Sequence, residues 1–255
     1  MVALTTVVVR AADLTNADAV LNYVLAKNAG YDSYSAAFAE NMTMPEDTLQ
    51  LTGTIAFKRP AQKRKEMRCM PQAQHNLDVV GPDQIMWSEV IIGSTTNVTK
   101  MGFQNMPTNH PVAAFMKDAI ANMDPNAPFI KEKDRCAFTL LPSVELHGQR
   151  MYVLVGELRT DAKLAPEEAA VLLVSMGKQK WFVGQKDGFI YRIEMFDKDG
   201  SNTLFSLEYT DVKLDVPLAD GLFNYKPAPA ANINDISQTI LQMMKDSPKS
   251  SAAGN

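Results

Sequence analysis

The groups in this 255-residue chain that could carry nucleophilic, acid–base or metal chemistry are few and scattered. Three histidines stand apart: His75 in an extended stretch, His110 before a proline, and His147 in a turn. None has a partner at metal-ligand spacing. The two cysteines, Cys69 and Cys136, form no CxxC pair; one disulfide or two free buried thiols both fit. Asp187, Asp197 and Asp199 fall in turns, where aspartate is favoured because its side chain bonds nearby backbone. Glu167 and Glu168 suit the first turn of a helix. The motifs GxSxG, HExxH, GxGxxG and the P-loop are all absent from the chain. These observations point to a binding protein with no catalytic residues, metal or cofactor.

The residues that remain are apolar and aromatic, and the elements that position them have period two. After a first helix over 16–28, opened by Thr15 and Asp18 and closed by Gly30, Tyr34, Ala36 and Phe38 alternate with small polar neighbours. Leu49, Leu51, Gly53, Ile55 and Phe57 repeat the pattern. Strand-like pieces follow at 64–70, 75–80, 84–92 and 95–103, with Pro71, Gly81-Pro82 and Gly93 between them. Val112, Phe115, Met116, Ile120 and Met123 have helical spacing within 109–123. Strands are predicted at 135–141 and 144–146. Met151–Val155 is apolar on both faces, and a helix is predicted over 166–176. The last third alternates most clearly: Trp181 and Val183, then Phe189, Tyr191, Ile193 and Met195, then Thr203, Phe205, Leu207 and Tyr209, with Asp-Gly turns between. A short helix through Ile236, Ile240, Met243 and Met244 precedes the tail.

The implied fold class is α+β: a single unclosed antiparallel β half-barrel of about ten strands, with amphipathic helices over its concave face. Residues 1–12 read as a signal-peptide remnant or a leading strand, 13–246 as one domain, and 247–255 as a disordered tail. The formal charge is −4, and the one basic run (Lys58, Arg59, Lys63, Arg64, Lys65, Arg68) is short, which argues against nucleic acid. No apolar run reaches the roughly 18 residues of a membrane span. The expected wall of an apolar cavity is Ile55, Phe57, Trp87, Met101, Phe103, Val153, Trp181, Val183, Tyr191, Ile193, Phe205 and Leu207. Fifteen methionines suit a surface that accepts variable apolar ligands.

Three segments, in order, resemble the LolA-type family of periplasmic lipoprotein carriers. They are 33–60, where Gly53, Ile55, Phe57, Lys58, Arg59 and Pro60 carry the likeness; 74–87; and 187–236, with Phe223, Tyr225, Pro227 and Pro229 near its end. The second departs from the family in having Gly81-Pro82-Asp83 where an Asp-Gly turn is common, and residues 104–176 are not matched closely. The resemblance implies a monomeric periplasmic carrier that holds the acyl chains of a lipoprotein or lipid and passes them towards the outer membrane. Its partners would be an inner-membrane donor complex and an outer-membrane acceptor. An envelope sensor or interaction module of the same fold is the alternative. The resemblance further implies that Arg59 controls a helical lid by bonding its backbone carbonyls, which a planar guanidinium can do with several donors.

Overall fold

Alternation of side chains across each strand organises the molecule, seen here in a computed structural model that describes residues 14–43, 47–70, 74–102, 132–162, 177–239 and 242. Helix α1 spans Ala17–Ala29. Asn16 caps it, its side chain accepting from Ala19 N–H at 2.8 Å, so the cap sits one residue beyond the Thr15 expected. Val20, Leu21 and Val24 form its buried stripe, and Gly30 closes it.

The strands are β1 (Ser33–Thr43), β2 (Thr48–Lys58), β3 (Gln62–Met70), β4 (Gln74–Val80), β5 (Ile85–Ile92), β6 (Thr95–Gly102), β7 (Cys136–Leu146), β8 (Gln149–Leu158), β9 (Lys178–Gly184), β10 (Ile190–Phe196), β11 (Thr203–Leu214) and β12 (Asn232–Asp235). They form one sheet in the order β12-β6-β5-β4-β3-β2-β1-β11-β10-β9-β8-β7, which is not closed. The expected α+β class with an open antiparallel sheet is what the chain adopts, with twelve strands rather than about ten. One pairing was not foreseen: β12 lies parallel to β6, with Ile233 opposite Val98. The two strands expected at 135–141 and 144–146 are a single strand, β7. Its register against β8 shifts between Leu141 and Val144, around Pro142, which has no N–H to give the ladder.

The chain divides into two compact units: residues 1–30 with 130–208, and residues 31–129 with 209–255. The first holds α1, β7 to β10 and the start of β11. The second holds β1 to β6, the rest of β11 and β12. The helices expected over 109–123 and 166–176, most of the one through Ile236–Met244, and the segments 1–12 and 247–255 lie outside the described residues. Cys69 and Cys136 are both buried, and they form no disulfide.

Candidate functional site

In the unit of residues 31–129 and 209–255, the strand register sorts every side chain onto one of two faces. Directly opposed residues of an antiparallel pair point to the same side. One row therefore runs Tyr34, Phe57, Lys63, Val80, Met86, Met101 across six strands. The next row on that face runs Ala36, Ile55, Lys65, Asp78, Ser88, Thr99, and the third Phe38, Gly53, Met67, Asn76, Val90, Asn97. Tyr34, Phe57, Val80, Ile55, Phe38 and Met101 are buried, whereas Leu49, Leu51, Met67 and Val90 farther along the face are half-exposed. Tyr34 and Phe57 pack ring to ring, 5.7 Å between centroids. Gly53 leaves room for the β3 backbone: a Cβ there would lie 1.9 Å from the Glu66 carbonyl oxygen.

This apolar face has a polar row through its middle. Lys65 pairs with Glu40 at 3.4 Å and lies over the Phe38 ring. Asp78 accepts from the Ser88 hydroxyl at 2.7 Å. Tyr209 has its hydroxyl pushed up to about 12 by burial and by the charge of Glu40.

Trp87 belongs to the other face. It opposes Val79 and Lys100, while its neighbour Met86 opposes Met101, so Trp87 does not share a wall with Ile55, Phe57 and Met101. The C-terminal segment covers it instead. Tyr225 packs on its ring at 5.4 Å and donates its hydroxyl hydrogen to Glu89 at 2.6 Å, and Lys100 lies over the indole. Phe103 lies outside the described residues. Arg59, expected to bond lid carbonyls, donates from Nε to the Tyr31 carbonyl at 2.6 Å, and its guanidinium stands over the Phe57 ring. Its backbone N–H also donates to the Asp32 carbonyl, so Arg59 ties down the stretch leading into β1.

In the unit of residues 1–30 and 130–208, Trp181 is the centre. Phe138, Leu140, Tyr152, Leu154, Val183, Ile190, Ile193, Met195, Phe205 and Leu207 share its face by register. Phe138 meets Trp181 edge to face at 5.7 Å. Gly156 makes room, since a Cβ there would come within 2.7 Å of the Phe138 ring. Helix α1 meets this face through Tyr23, edge-on to Tyr152 at 6.4 Å. The Tyr23 hydroxyl donates to the Gln185 carbonyl, and burial, with Asp187 nearby, pushes it up to about 12. Val153 again falls on the opposite side, against Phe182, so it does not line the Trp181 wall. Tyr191 sits at an irregularity in the β9–β10 ladder, between Ile190 and Arg192. It donates to Asp187 at 2.9 Å and is edge-on to Phe189.

Five of the expected wall residues, Trp181, Val183, Ile193, Phe205 and Leu207, are thus brought together. Trp181 and Val183 are buried, but Ile193, Met195, Phe205 and Leu207 remain half-exposed. They form cross-strand pairs: Ile193 with Leu207, and Met195 with Phe205.

A polar chain runs beneath Trp181. Its indole N–H donates to Gln179 Oε1 at 2.7 Å. Gln179 Nε2 donates to Glu132 at 2.8 Å and towards Cys136 Sγ at 3.0 Å. A small recess is lined by Glu132, Cys136, Gly156, Leu158, Gly177, Lys178 and Gln179. Burial, with Glu132 beside it, pushes the Cys136 thiol up to about 12, so it stays protonated and is a poor nucleophile at neutral pH. Among the described residues no group of three or more His, Cys, Asp and Glu is placed to hold a metal.

An open antiparallel sheet with a leading helix packed on one of its apolar faces defines the class. No protein-family model and no curated protein matches the chain. Among solved structures it is similar to an uncharacterized conserved protein from Thermus thermophilus, at TM-score 0.51 and 11% identity over 84% of this chain and 96% of that one. A LolA superfamily protein from Nitrosomonas europaea is also similar (TM-score 0.34, 14% identity, 83% and 99% covered). So is an outer membrane lipoprotein-sorting protein domain from Vibrio parahaemolyticus (TM-score 0.34, 10% identity, 80% and 94% covered). At 11% identity the likeness to the Thermus thermophilus protein is one of fold. No helix among the described residues is long and apolar enough to cross a membrane.

Proposed function

We propose that this protein is a non-enzymatic carrier of the bacterial envelope that binds acyl chains on the apolar faces of its sheet. The observation that carries the reading is the half-exposed patch Ile193, Leu207, Met195 and Phe205, continuous by register with buried Trp181 and Val183. Contiguous large apolar side chains that the fold covers only in part suit a binding surface. Each methylene transferred onto such a surface contributes about 0.8 kcal/mol, so an acyl chain of about ten methylenes gives useful affinity before ordering costs. Binding and release then need only an exchange of apolar contacts, with no nucleotide or metal.

The resemblance of segments 33–60, 74–87 and 187–236 to the LolA-type carriers supports cargo of the same kind, an acylated protein or lipid carried through the periplasm towards the outer membrane. An inner-membrane donor and an outer-membrane acceptor would be the partners. Native mass spectrometry of the purified protein, with titration of a fluorescent fatty-acyl probe, tests this. A co-purifying lipid, or saturable probe binding weakened by Phe205→Asp, is expected. An empty protein that leaves the probe unbound would sink the proposal.

A further inference from the structure

Strand β6 is longer than the strand that covers its edge. It has eight residues, Thr95–Gly102, and β12 pairs with four of them, Asn97–Lys100. Ile236 N–H donates to the Lys100 carbonyl at 3.0 Å, and Gly102 N–H donates to Ser237 Oγ at 2.8 Å. The even-numbered residues of β6 therefore turn their backbone groups away from β5 and towards β12. Thr96 is one of them, and among the described residues no strand stands beside it on that side.

β12 is also a weak strand. It reads Asn232-Ile233-Asn234-Asp235, and Asn and Asp are depleted in strands. All four residues are exposed, Ile233 at 53%, so the strand buries little apolar surface. Its pairing is parallel, slightly less stable per residue than antiparallel. Just before it the chain is firmly held: Phe223 is buried, and Tyr225 packs on Trp87 and bonds Glu89. Between Tyr225 and β12, the stretch Lys226-Pro227-Ala228-Pro229-Ala230 has no regular structure, and its prolines favour an extended tether. β12 can thus leave β6 while Phe223 and Tyr225 stay in place, a local opening at little cost in packing.

We propose that the β6 edge is a docking site for an extended segment of a partner protein, with β12 as its built-in placeholder. The partner adds a parallel strand in place of β12. It carries an acidic residue where β12 has Asp235, to meet Lys100, which Asp235 now bonds at 2.7 Å. Where β12 has Asn232 and Asn234 it carries β-branched residues, which suit a strand. Main-chain bonds to more of β6 than Asn97–Lys100 supply its advantage over the placeholder. The edge belongs to the unit of residues 31–129 and 209–255, and the acyl-binding patch to the other, so the inference does not rest on the carrier reading.

The probe is a fluorescein-labelled peptide with the sequence of residues 230–239 in which valine replaces Asn232 and Asn234. Fluorescence anisotropy follows its binding to the full chain. The same peptide with Asp235→Lys should bind about tenfold more weakly, because it sets a like charge against Lys100. In the protein, the double variant Asp235→Asn, Ser237→Ala loosens β12 and leaves β6 intact. It should bind the valine peptide about tenfold tighter than the wild type, since the competing strand no longer holds the edge. Amide exchange of the complex should show new protection at Thr96. Failure of the peptide to bind either protein overturns the proposal. So does equal affinity for the two proteins, or binding indifferent to Asp235→Lys; β12 is then only a cap on the sheet edge. Dimerisation of the loosened variant without peptide binding gives the edge to a second copy and also overturns it. The comparison of the two peptides on the wild type needs no variant, so a poorly folding one cannot hide the answer.

Discussion

Arg59 shows how much one side chain ties together. Its Nε bond to the Tyr31 carbonyl, its backbone bond to Asp32 and its stacking on Phe57 all fall within a few residues of the start of β1. Arg59→Leu keeps apolar contact with Phe57 but loses the charged donor. The expected cost is about 1–3 kcal/mol, read as a lower midpoint in urea with an unchanged slope. If Arg59 also governs closure over cargo, the variant should alter the rate of acyl-probe transfer to acceptor vesicles; transfer at the wild-type rate would leave it a structural residue. Gly53 is a stricter case. A β-carbon 1.9 Å from the Glu66 carbonyl oxygen cannot be absorbed by a side-chain rotation, because the obstacle is backbone. Gly53→Ala should therefore cost at least the ~1–3 kcal/mol typical of overpacking. A midpoint within error of wild type would show that β2 and β3 can separate freely at that point.

At the level of elements, the closing segment is held by contacts that respond to acid. Asp235 of β12 accepts from Lys100 at 2.7 Å and from Ser237 N–H at 3.0 Å, and these bonds hold its carboxyl at about 2. A carboxylate depressed in the folded state stabilises it above the ordinary carboxylate range, and that contribution fades as pH falls towards the folded value. The β12–β6 ladder should thus loosen between about pH 4 and pH 2. Amide hydrogen exchange of residues 232–235 measures this, and Lys100→Met should remove most of the pH dependence. The group is exposed, so the effect should be modest and weakened by salt.

The strands beneath this segment were largely legible in the sequence because one face of each alternates with polar residues. The errors came where alternation says nothing. Met86 and Trp87 are adjacent, and only pairing with Met101 decides which of them shares its face. In Met151–Val155 both faces are apolar, so the pattern could not tell Val153 from Leu154, which is the residue opposite Trp181. The parallel β12 was illegible for a different reason. It is four exposed residues placed by the Asp235–Lys100 and Ser237–Gly102 bonds, not by an apolar stripe. The Glu132–Gln179–Trp181 chain was missed too. Gln179 reads as a surface position by residue type, and only the indole N–H of a buried Trp181, which needs a partner, hinted at it.

For the whole molecule, the carrier reading makes a thermodynamic demand that none of the single sites makes. A ligand that binds the folded chain and not the unfolded one adds RT ln(1 + [L]/Kd), about 2.7 kcal/mol at a hundredfold excess over Kd. For a chain of this size each kcal/mol moves the melting temperature by roughly 2–4 °C, so loading with palmitate should raise it by about 5–10 °C. The rise should grow with the logarithm of ligand concentration, as mass action requires. An ordinary sealed core behaves otherwise. It has nothing to exchange, so an amphiphile either leaves the melting temperature unchanged or lowers it by binding the unfolded chain. The sign of that shift separates a sheet whose apolar faces accept cargo from one whose faces serve only its own folding. Phe205→Asp sharpens the distinction. In a carrier it should shrink the ligand-induced rise, because Phe205 is half-exposed in the free protein. In a sealed core there is no rise to shrink.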